Sequence, residues 1–229
     1  MKRFYKAVTH APAEQGFAIL LDGRSIRTPK KEALIVPTAP LAAAIAAEWD
    51  AQDEDILPAT MPLTGMANAA IDLIAPDIAA FAAPLAAYGE TDLLCYRAPE
   101  ADLAATEAEV WNPILAWAET RHGVEFTLVN GIMHQPQPPA TLAALSSALA
   151  AYDPFRLAAL SPLITIGGSL VVALALVERA FDSEQLWQAV TLDEVWQENR
   201  WGADEEALKA RANKHVEWQA ATRFLALLA

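Results

Sequence analysis

The side chains that could do chemistry in this sequence are few, and their spacing matches no common catalytic motif. Ile166-Gly167-Gly168-Ser169 lacks the spacing of a phosphate-binding glycine loop, and no G-x-S-x-G marks a nucleophile elbow. No histidine has a second histidine four residues further on, as a helical metal pair requires; the four are His10, His122, His134 and His215. The sequence therefore predicts no metal site and no cofactor. A Ser–His–Asp triad built from distant segments stays open, because only geometry reveals one.

Two further candidates, the acidic run Asp53-Glu54-Asp55 and the cysteine Cys95, are better explained by structural roles than by chemistry. Asp53-Glu54-Asp55 lacks the alternating ligands, the central glycine and the late glutamate of a calcium loop, so we interpret it as a solvated turn. Cys95 is the only cysteine, which excludes an internal disulfide and favours a reducing compartment. No basic residue flanks it closely enough to activate a thiolate, so we expect Cys95 to be a buried apolar filler.

Three acids near the C-terminal end are the better candidates for a binding surface. Asp193, Glu194 and Glu198 lie on a predicted helix, on the side opposite its apolar stripe. The stripe consists of Leu192, Val195 and Trp196. Glu194 and Glu198 are one turn apart, and such a like-charge pair slightly destabilises an isolated helix. The acidic side is therefore either a solvated face or a patch that binds arginine and lysine side chains of a partner.

The composition is that of an acidic globular protein. Hydrophobic residues make up 54% of the 229 residues and include seven tryptophans, which is enough apolar surface to offset the entropy lost on folding. Sixteen basic and 29 acidic residues give a formal charge of −13, which would repel a phosphate backbone and excludes nucleic acid as a natural partner. The most apolar segment, 157–177, is interrupted by Ser161-Pro162 and Gly167-Gly168-Ser169, so we predict a buried helix and no membrane insertion.

Strand and turn patterns fill residues 1–36, and helices dominate from Thr38 onward. Asp22-Gly23 between two apolar runs predicts a type I′ hairpin turn, because both central positions need a positive φ. We predict strands at 3–9, 17–21, 24–27 and 33–36, and later helices at 99–122, 138–152, 160–180, 183–200 and 204–227. With a joint near residue 90, the prediction is an α+β protein: a β-rich N-terminal domain with flanking helices (1–90) and a mainly α-helical C-terminal domain (91–229).

Several segments of the sequence, taken in order, carry a resemblance to a known family. They are Arg3-Phe4-Tyr5-Lys6 with Leu21-Asp22-Gly23-Arg24 and Thr28-Pro29; Ala46-Ala47-Glu48-Trp49-Asp50-Ala51-Gln52; Met61-Pro62-Leu63-Thr64 with Ala67-Asn68-Ala69-Ala70-Ile71-Asp72; Thr91-Asp92-Leu93-Leu94-Cys95-Tyr96-Arg97; Trp111-Asn112-Pro113-Ile114; and Leu192-Asp193-Glu194-Val195-Trp196-Gln197 with Trp201-Gly202. In this order they resemble the assembly chaperones of the ATP synthase soluble head (F₁) that receive its free α subunit. The resemblance covers nearly the whole chain.

This resemblance implies a two-part fold, no catalytic activity and a protein client. The implied client is the F₁ α subunit before it pairs with β, whose exposed apolar interface would otherwise drive aggregation. The family's important acid falls in the last matched segment, and we assign it to Glu194 with Asp193 as a rival. The predicted partner-binding residues are Glu194, Asp193, Glu198, Gln197 and Trp201.

Two departures from mitochondrial members favour a bacterial relative. The chain starts almost at the family core, without an Arg- and Ser-rich leader, and Trp201-Gly202 is followed by Ala203-Asp204-Glu205-Glu206 instead of a stretch containing His-Asp. We therefore expect a bacterial cytoplasmic protein that is monomeric when free, or a mitochondrial matrix protein if the chain is a mature organellar form.

Two other classes of function stay open from the sequence. One is a small-molecule hydrolase or transferase with an unrecognised site that uses His122 or His134, both near predicted loops. The other is a permanent structural subunit of a larger assembly, which unlike a chaperone would remain with the mature complex.

Overall fold

Two compact units make up the described part of the chain, residues 1–131 and 133–229 of a computed structural model. Unit 1 comprises Met1–Ile78, Asp153–Ala159 and Gln219–Ala229, and unit 2 comprises Ala79–Tyr152 and Leu160–Trp218. The strands lie mainly near the N-terminus and helices follow, which confirms the predicted α+β class. A boundary near residue 90 between separately folding domains stays a prediction.

A small antiparallel sheet forms the centre of unit 1. Its strands are β1 (Val8–Ala13), β2 (Gly16–Leu21), β3 (Arg24–Ser25) and β4 (Ile35–Val36). Strand β2 pairs with the other three. Asp22 and Gly23 join β2 to β3 with φ angles of 49° and 77°, the positive values that the predicted hairpin turn requires.

The strand predicted at 3–9 is wrong for its first half. Arg3 donates from Nη1 to the backbone oxygen of Asp50 at 2.9 Å, and the amides of Lys6 and Ala7 donate to the Asp22 carboxylate at 3.1 and 2.9 Å. Hydrogen bonds between side chains and backbone groups therefore hold this segment in place of strand pairing. The regular strand pairing of β1 begins only at Val8.

Two helices of unit 1 are held by capping side chains. Helix α1 (Ala39–Asp50) begins after Thr38, whose hydroxyl accepts the Leu41 amide at 3.3 Å, and it packs against β1 and β2. Helix α2 (Pro62–Ala69) continues into a π-helical turn, Ala70–Ile74. The Glu48 carboxylate on α1 accepts the amides of Leu63 and Thr64, both at 2.8 Å, and so complements the positive end of α2.

Unit 2 is built mainly of helices. In chain order the remaining elements are α3 (Ile78–Ala86), β5 (Tyr96–Arg97), α4 (Ala101–His122), β6 (Val129–Asn130), α5 (Pro139–Ala150), α6 (Pro154–Gly167), α7 (Leu170–Val177), α8 (Ser183–Val190), α9 (Leu192–Trp201) and α10 (Glu205–Leu227). Helices α6 and α10 contribute residues to both units. Helix α7 buries its first seven residues and packs against α4, α5 and α8. The buried segment predicted from the apolar run is thus confirmed.

The predicted helices at 160–180 and 183–200 are each two helices in the structure. Gly168 has a φ of 62°, and the Ser169 hydroxyl accepts the Val172 amide at 3.0 Å, which starts α7 in a new direction. At Gly167 an added Cβ would lie 3.3 Å from Cγ1 of Val190, so the glycine allows close packing there. The second break is at Thr191, between α8 and α9.

Asp92 is a fully buried carboxylate that connects two backbone segments of unit 2, residues 92–94 and 169–171. Its Oδ1 accepts the Leu94 amide at 3.1 Å and the Ser169 hydroxyl at 2.7 Å, and its Oδ2 accepts the Val171 amide at 3.0 Å. Burial is the largest influence on this carboxyl and raises its pKa to about 6, against the lowering effect of its donors. Asp92 is therefore a structural acid that fixes the start of α7.

Cys95 is buried, as predicted, and burial raises the pKa of its thiol to about 12. The thiol therefore stays protonated at physiological pH and is a poor nucleophile.

No single helix among residues 1–131 and 133–229 is long and apolar enough to cross a membrane. Segments 62–74 and 78–95 reach that length and hydropathy only as a bent pair.

Candidate functional site

Helix α9 carries all five predicted binding residues and is well exposed to solvent. None of its ten side chains is fully buried, and two large apolar ones face solvent: Val195 is 39% exposed and Trp201 is 68% exposed. Exposed tryptophan is uncommon on a protein that has no partner, because its large apolar area stays in contact with water. The surface role predicted for Trp201 therefore agrees with its position.

Glu194 and Glu198 face helix α10, where each has a basic partner. Glu198 accepts two hydrogen bonds from Arg211, at 2.5 Å to Nη1 and 2.6 Å to Nη2, and both side chains are largely buried. Glu194 pairs with Lys214 at 3.2 Å, and both of those side chains are 46% exposed. The bidentate pair is strong and fixes α9 to α10, whereas the exposed pair contributes little.

A cavity of about 450 Å³ lies between α9 and α10 and brings together four of the predicted residues. It is lined by Glu194, Gln197, Glu198 and Trp201 from α9 and by Arg211 and Lys214 from α10. The basic side chains that the acids were predicted to bind are thus present in the chain itself. What stays open to a partner on this side is Trp201, Gln197 and the half-exposed Glu194.

Asp193 lies apart from the other two acids, so the prediction that all three share one side of the helix is wrong. Its carboxyl is next to Glu107 of α4 and lines a separate cavity of about 380 Å³ together with Arg97. A helix turns 100° per residue, so Asp193 lies on a different side from Glu194. The Asp193 Oδ1 is buried and accepts no hydrogen bond within the described residues.

The carboxyls of Asp193 and Glu107 are neighbours, and the pKa of each is raised above its ordinary value. Burial is the largest cause that raises the pKa of each, and Glu107 is 1% exposed. The second Glu107 oxygen accepts the Ala98 amide at 2.9 Å. Arg97 donates to Asn112 at 2.7 Å and stacks 5.1 Å above the ring centroid of Trp111, while its Nη1 has no acceptor within the described residues. One base therefore faces two acids, and a shared proton relieves their repulsion.

We expect Glu107→Gln to flatten the dependence of stability on pH. Because the folded pKa values of Glu107 and Asp193 are raised, their favourable contribution is complete below their unfolded pKa values and is lost as pH rises through the folded ones. Glutamine can accept the Ala98 amide and offers an N–H group to the neighbouring Asp193 carboxyl, without a charge of its own. Urea unfolding from below pH 4 up to pH 9 should show nearly equal stability at the acid end and a more stable variant at the alkaline end. A variant that is less stable at every pH would contradict the shared proton.

Glu107 and Arg97 were not among the predicted site residues, although the sequence carries one signal for Glu107. Glu107 lies in the buried stripe of α4, whose other members include Leu103, Trp111, Ile114 and Ala118. An acid at a stripe position needs a buried partner, but the sequence could not identify that partner.

An apolar groove of about 650 Å³ lies on the other side of α9, between α4, α8 and α9. It is lined by the residues predicted as the apolar stripe of α9, together with Val110, Ile114, Phe181 and Leu186. The stripe therefore borders an open groove instead of being packed away. Trp196 makes an edge contact with Trp201 at 5.7 Å, and Arg200 lies 5.0 Å above the Trp196 ring. The helix thus presents aromatic surface between two concave regions.

The histidines form no catalytic or metal-binding group in the part of the chain that the structure describes. No cluster of three or more His, Cys, Asp or Glu side chains there could hold a metal ion. His122 packs edge-on against Trp117 at 5.6 Å, and His134 contacts the Tyr96 hydroxyl at 3.0 Å and Glu90 at 3.2 Å. These contacts give the histidines packing and hydrogen-bonding roles.

Comparison with known proteins identifies the family. The family model described as ATP12 chaperone protein matches residues 2–119, which is more than half of the chain. The chain belongs to the ATP12 chaperone family. It is accordingly a chaperone of ATP synthase assembly and not an enzyme, as the resemblance implied. The hydrolase or transferase alternative is therefore wrong.

The ATP12 fold extends over the whole chain. The crystal structure of Atp12 from Paracoccus denitrificans is 41% identical, covers 100% of this chain and 98% of its own, and superposes with a TM-score of 0.94. A point mutant of the P. denitrificans protein gives a TM-score of 0.95 at the same identity and coverage. "Protein atp12, mitochondrial" from Schizosaccharomyces pombe is 26% identical over 224 residues, which is 90% of this chain and 75% of the relative.

Proposed function

We propose that this ATP12 chaperone binds the free α subunit of the F₁ head and shields its interface until the β subunit replaces the chaperone. The observation that carries the proposal is the exposure of α9, which presents Val195 and Trp201 between an apolar groove and a cavity with charged walls. An unpaired subunit exposes apolar surface that must be covered reversibly. A short exposed helix with aromatic anchors fits such a contact, because a few aromatic side chains supply most of the energy of a typical interface.

The three predicted acids support different roles. Glu194 is half exposed and weakly paired, so it is free to exchange Lys214 for a basic residue of the client. Glu198 is held in a bidentate pair with Arg211 and positions α9. Asp193 belongs to the buried pair with Glu107. We therefore propose Glu194, Gln197 and Trp201 as direct contacts, with Glu198 and Asp193 as positioning residues.

Co-expression with the α subunit tests the proposed client directly. The chaperone should raise the soluble yield of α and co-purify with it, and addition of β should displace it, because a chaperone must leave. Unchanged solubility of α would contradict the proposal. Stable recovery of the chain with mature ATP synthase would instead favour a permanent subunit. We place this activity in a bacterial cytoplasm, or in the mitochondrial matrix for an organellar form, and we expect the free protein to be monomeric.

Glu194→Lys should abolish α-subunit binding with little effect on folding. The substitution puts a second amine beside Lys214 and repels a basic client, while loss of an exposed ion pair costs only ~0.2–1 kcal/mol of stability. Binding is measured by pull-down and folding by thermal melting. Glu125→Lys, at an exposed acid outside α9 and its cavities, is the matched control and should bind normally.

Glu198→Lys provides the contrast within α9. Breaking its largely buried pair with Arg211 leaves two basic side chains together and should lower stability by ~2–4 kcal/mol, with client binding reduced as a consequence. If Glu194→Lys lowered the melting temperature as much as Glu198→Lys, Glu194 would be a structural residue.

A further inference from the structure

Charge is distributed very unevenly along the chain. Residues 1–36 contain seven of the 16 basic residues and only three of the 29 acidic ones, so this segment has a net charge of +4 while the remainder has −17. A local positive region on an acidic protein keeps its own electrostatic preference at short range, because salt screens charges beyond about 10 Å. The N-terminal segment therefore needs an explanation separate from the acidic surface of the chain.

A groove of about 590 Å³ in unit 1 lies within this basic region. Its walls include the exposed side chains of Met1 and Phe4, which are 74% and 66% exposed, and the consecutive residues 24–27. Trp49 lines it as well, and the indole N–H of Trp49 has no acceptor among residues 1–131 and 133–229. The indole nitrogen itself is buried, so Trp49 offers the groove its apolar ring, which together with Met1 and Phe4 suits an apolar side chain of a ligand.

The basic side chains near the groove are not all equally available. Lys2 pairs with Asp55 at 3.0 Å, and Arg3 donates to both the backbone oxygen and the carboxylate of Asp50, the last residue of α1. Arg24 and Arg27 are exposed, line the groove and form no ion pair within the described residues; Arg27 donates only to the Lys31 carbonyl oxygen, at 2.6 Å. Two guanidinium groups are therefore free to bind an anionic group beside the apolar surface.

The one acid in the groove does not neutralise these arginines by direct contact. The Asp22 carboxylate accepts the backbone amides of Ala7 and Lys6, and these hydrogen bonds are the main cause that lowers the pKa of Asp22. Arg24 and Ser25 form the short strand β3, which pairs with Leu21 and Leu20 of β2.

We propose that this groove is a second protein-binding surface, which takes an extended acidic segment of a partner with one bulky apolar side chain. The apolar side chain packs against Met1, Phe4 and Trp49, and the flanking carboxylates bind Arg24 and Arg27. This surface does not involve α9, so the proposal stands or fails independently of the α-subunit contact. A short peptide fits better than a nucleic acid, because a long polyanion would meet the −17 charge of the remaining chain.

Fluorescence anisotropy with labelled peptides on the full-length protein tests the groove. The probe is the peptide Gly-Asp-Glu-Phe-Glu-Asp-Ser-Gly, and the comparison peptides replace its acids with lysine or its phenylalanine with serine. The acidic peptide should bind in the micromolar range, about tenfold more tightly than either comparison peptide, and binding should weaken as salt rises from about 50 to 500 mM. Arg24→Glu with Arg27→Glu should weaken it at least about tenfold, and Phe4→Ala about tenfold. Lys209→Glu, an exposed site on α10, should leave binding unchanged.

Five results would overturn the proposal. Four come from the binding assay: no binding of the acidic peptide up to about 1 mM, equal binding of the lysine peptide, displacement by oligo(dT) at physiological salt, or a change of affinity in Lys209→Glu equal to that of the arginine variants. Concentration-dependent dimerisation that disappears in the arginine variants would assign the groove to a second copy of this chain and would also overturn it. Melting temperatures of all variants establish that each is folded, since exposed substitutions usually leave stability nearly unchanged.

Discussion

Asp92→Ala is expected to destabilise the protein by ~3–5 kcal/mol, because it leaves several buried donors without an acceptor. The lost acceptor serves the amides of Leu94 and Val171 and the hydroxyl of Ser169, and Asp92 itself has no exposed surface. Removal of the carboxylate also creates a cavity next to the start of α7. Urea unfolding monitored by circular dichroism measures the change in the free energy of unfolding.

Asp92→Asn is the matched control for this prediction. Its amide oxygen can keep both bonds made to Oδ1, while its NH₂ group faces the Val171 amide, so the expected cost is smaller, ~1–3 kcal/mol. If alanine cost no more than asparagine, the three donors would not depend on Asp92.

The pH dependence gives a second check on Asp92. Its pKa is raised to about 6 from an ordinary value of 3.8, so the folded state binds this proton more tightly than the unfolded state. The stabilising contribution is therefore complete below about pH 4 and falls by ~1–3 kcal/mol as pH rises through about 6. The stability difference between wild type and Asp92→Ala should narrow over that range, and a difference that widens would contradict the raised pKa.

Trp201→Ala should weaken α-subunit binding about 30- to 1000-fold, which corresponds to ~2–4 kcal/mol at an aromatic hot spot. Trp201 is 68% exposed at the end of α9 and contacts Trp196, so truncation removes contact area for a partner while burying nothing new. Isothermal titration with purified α subunit measures the affinity, and thermal melting should show nearly unchanged stability.

Val216→Ala serves as the control for Trp201. Val216 is an equally prominent apolar side chain on α10, and it does not line either cavity beside α9. Normal binding by Trp201→Ala, or an equal loss in both variants, would count against α9 as the client-binding helix.

The sequence predicted local structure well wherever a short-range signal was strong. Asp22-Gly23 gave the hairpin turn, and Thr38 gave the start of α1, because both depend on neighbouring residues alone. The break at Gly168, between α6 and α7, was not predicted, because it lies in a run of apolar residues that shows no clear helical periodicity. Continuous burial on all sides removes the periodicity from which helix boundaries are inferred.

Exposure of the candidate site could be predicted, but its partners could not. Trp201 was among the predicted partner-binding residues, and its side chain is exposed in the structure. The pairing of Glu198 with Arg211 and of Glu194 with Lys214 depends on how α10 packs beside α9, a tertiary contact without a signal in either segment. Helical periodicity alone also failed to separate Asp193 from its neighbours, since the facing acid Glu107 lies on a different helix.

The inertness of Cys95 makes this chaperone convenient for single-site dye labelling. Its thiol is buried with a pKa of about 12, so maleimide reagents will leave it untouched under native conditions. A cysteine introduced at the exposed Lys209 of α10 therefore becomes the sole reactive position without removal of the native one. A fluorophore attached there would report client arrival and departure in real time.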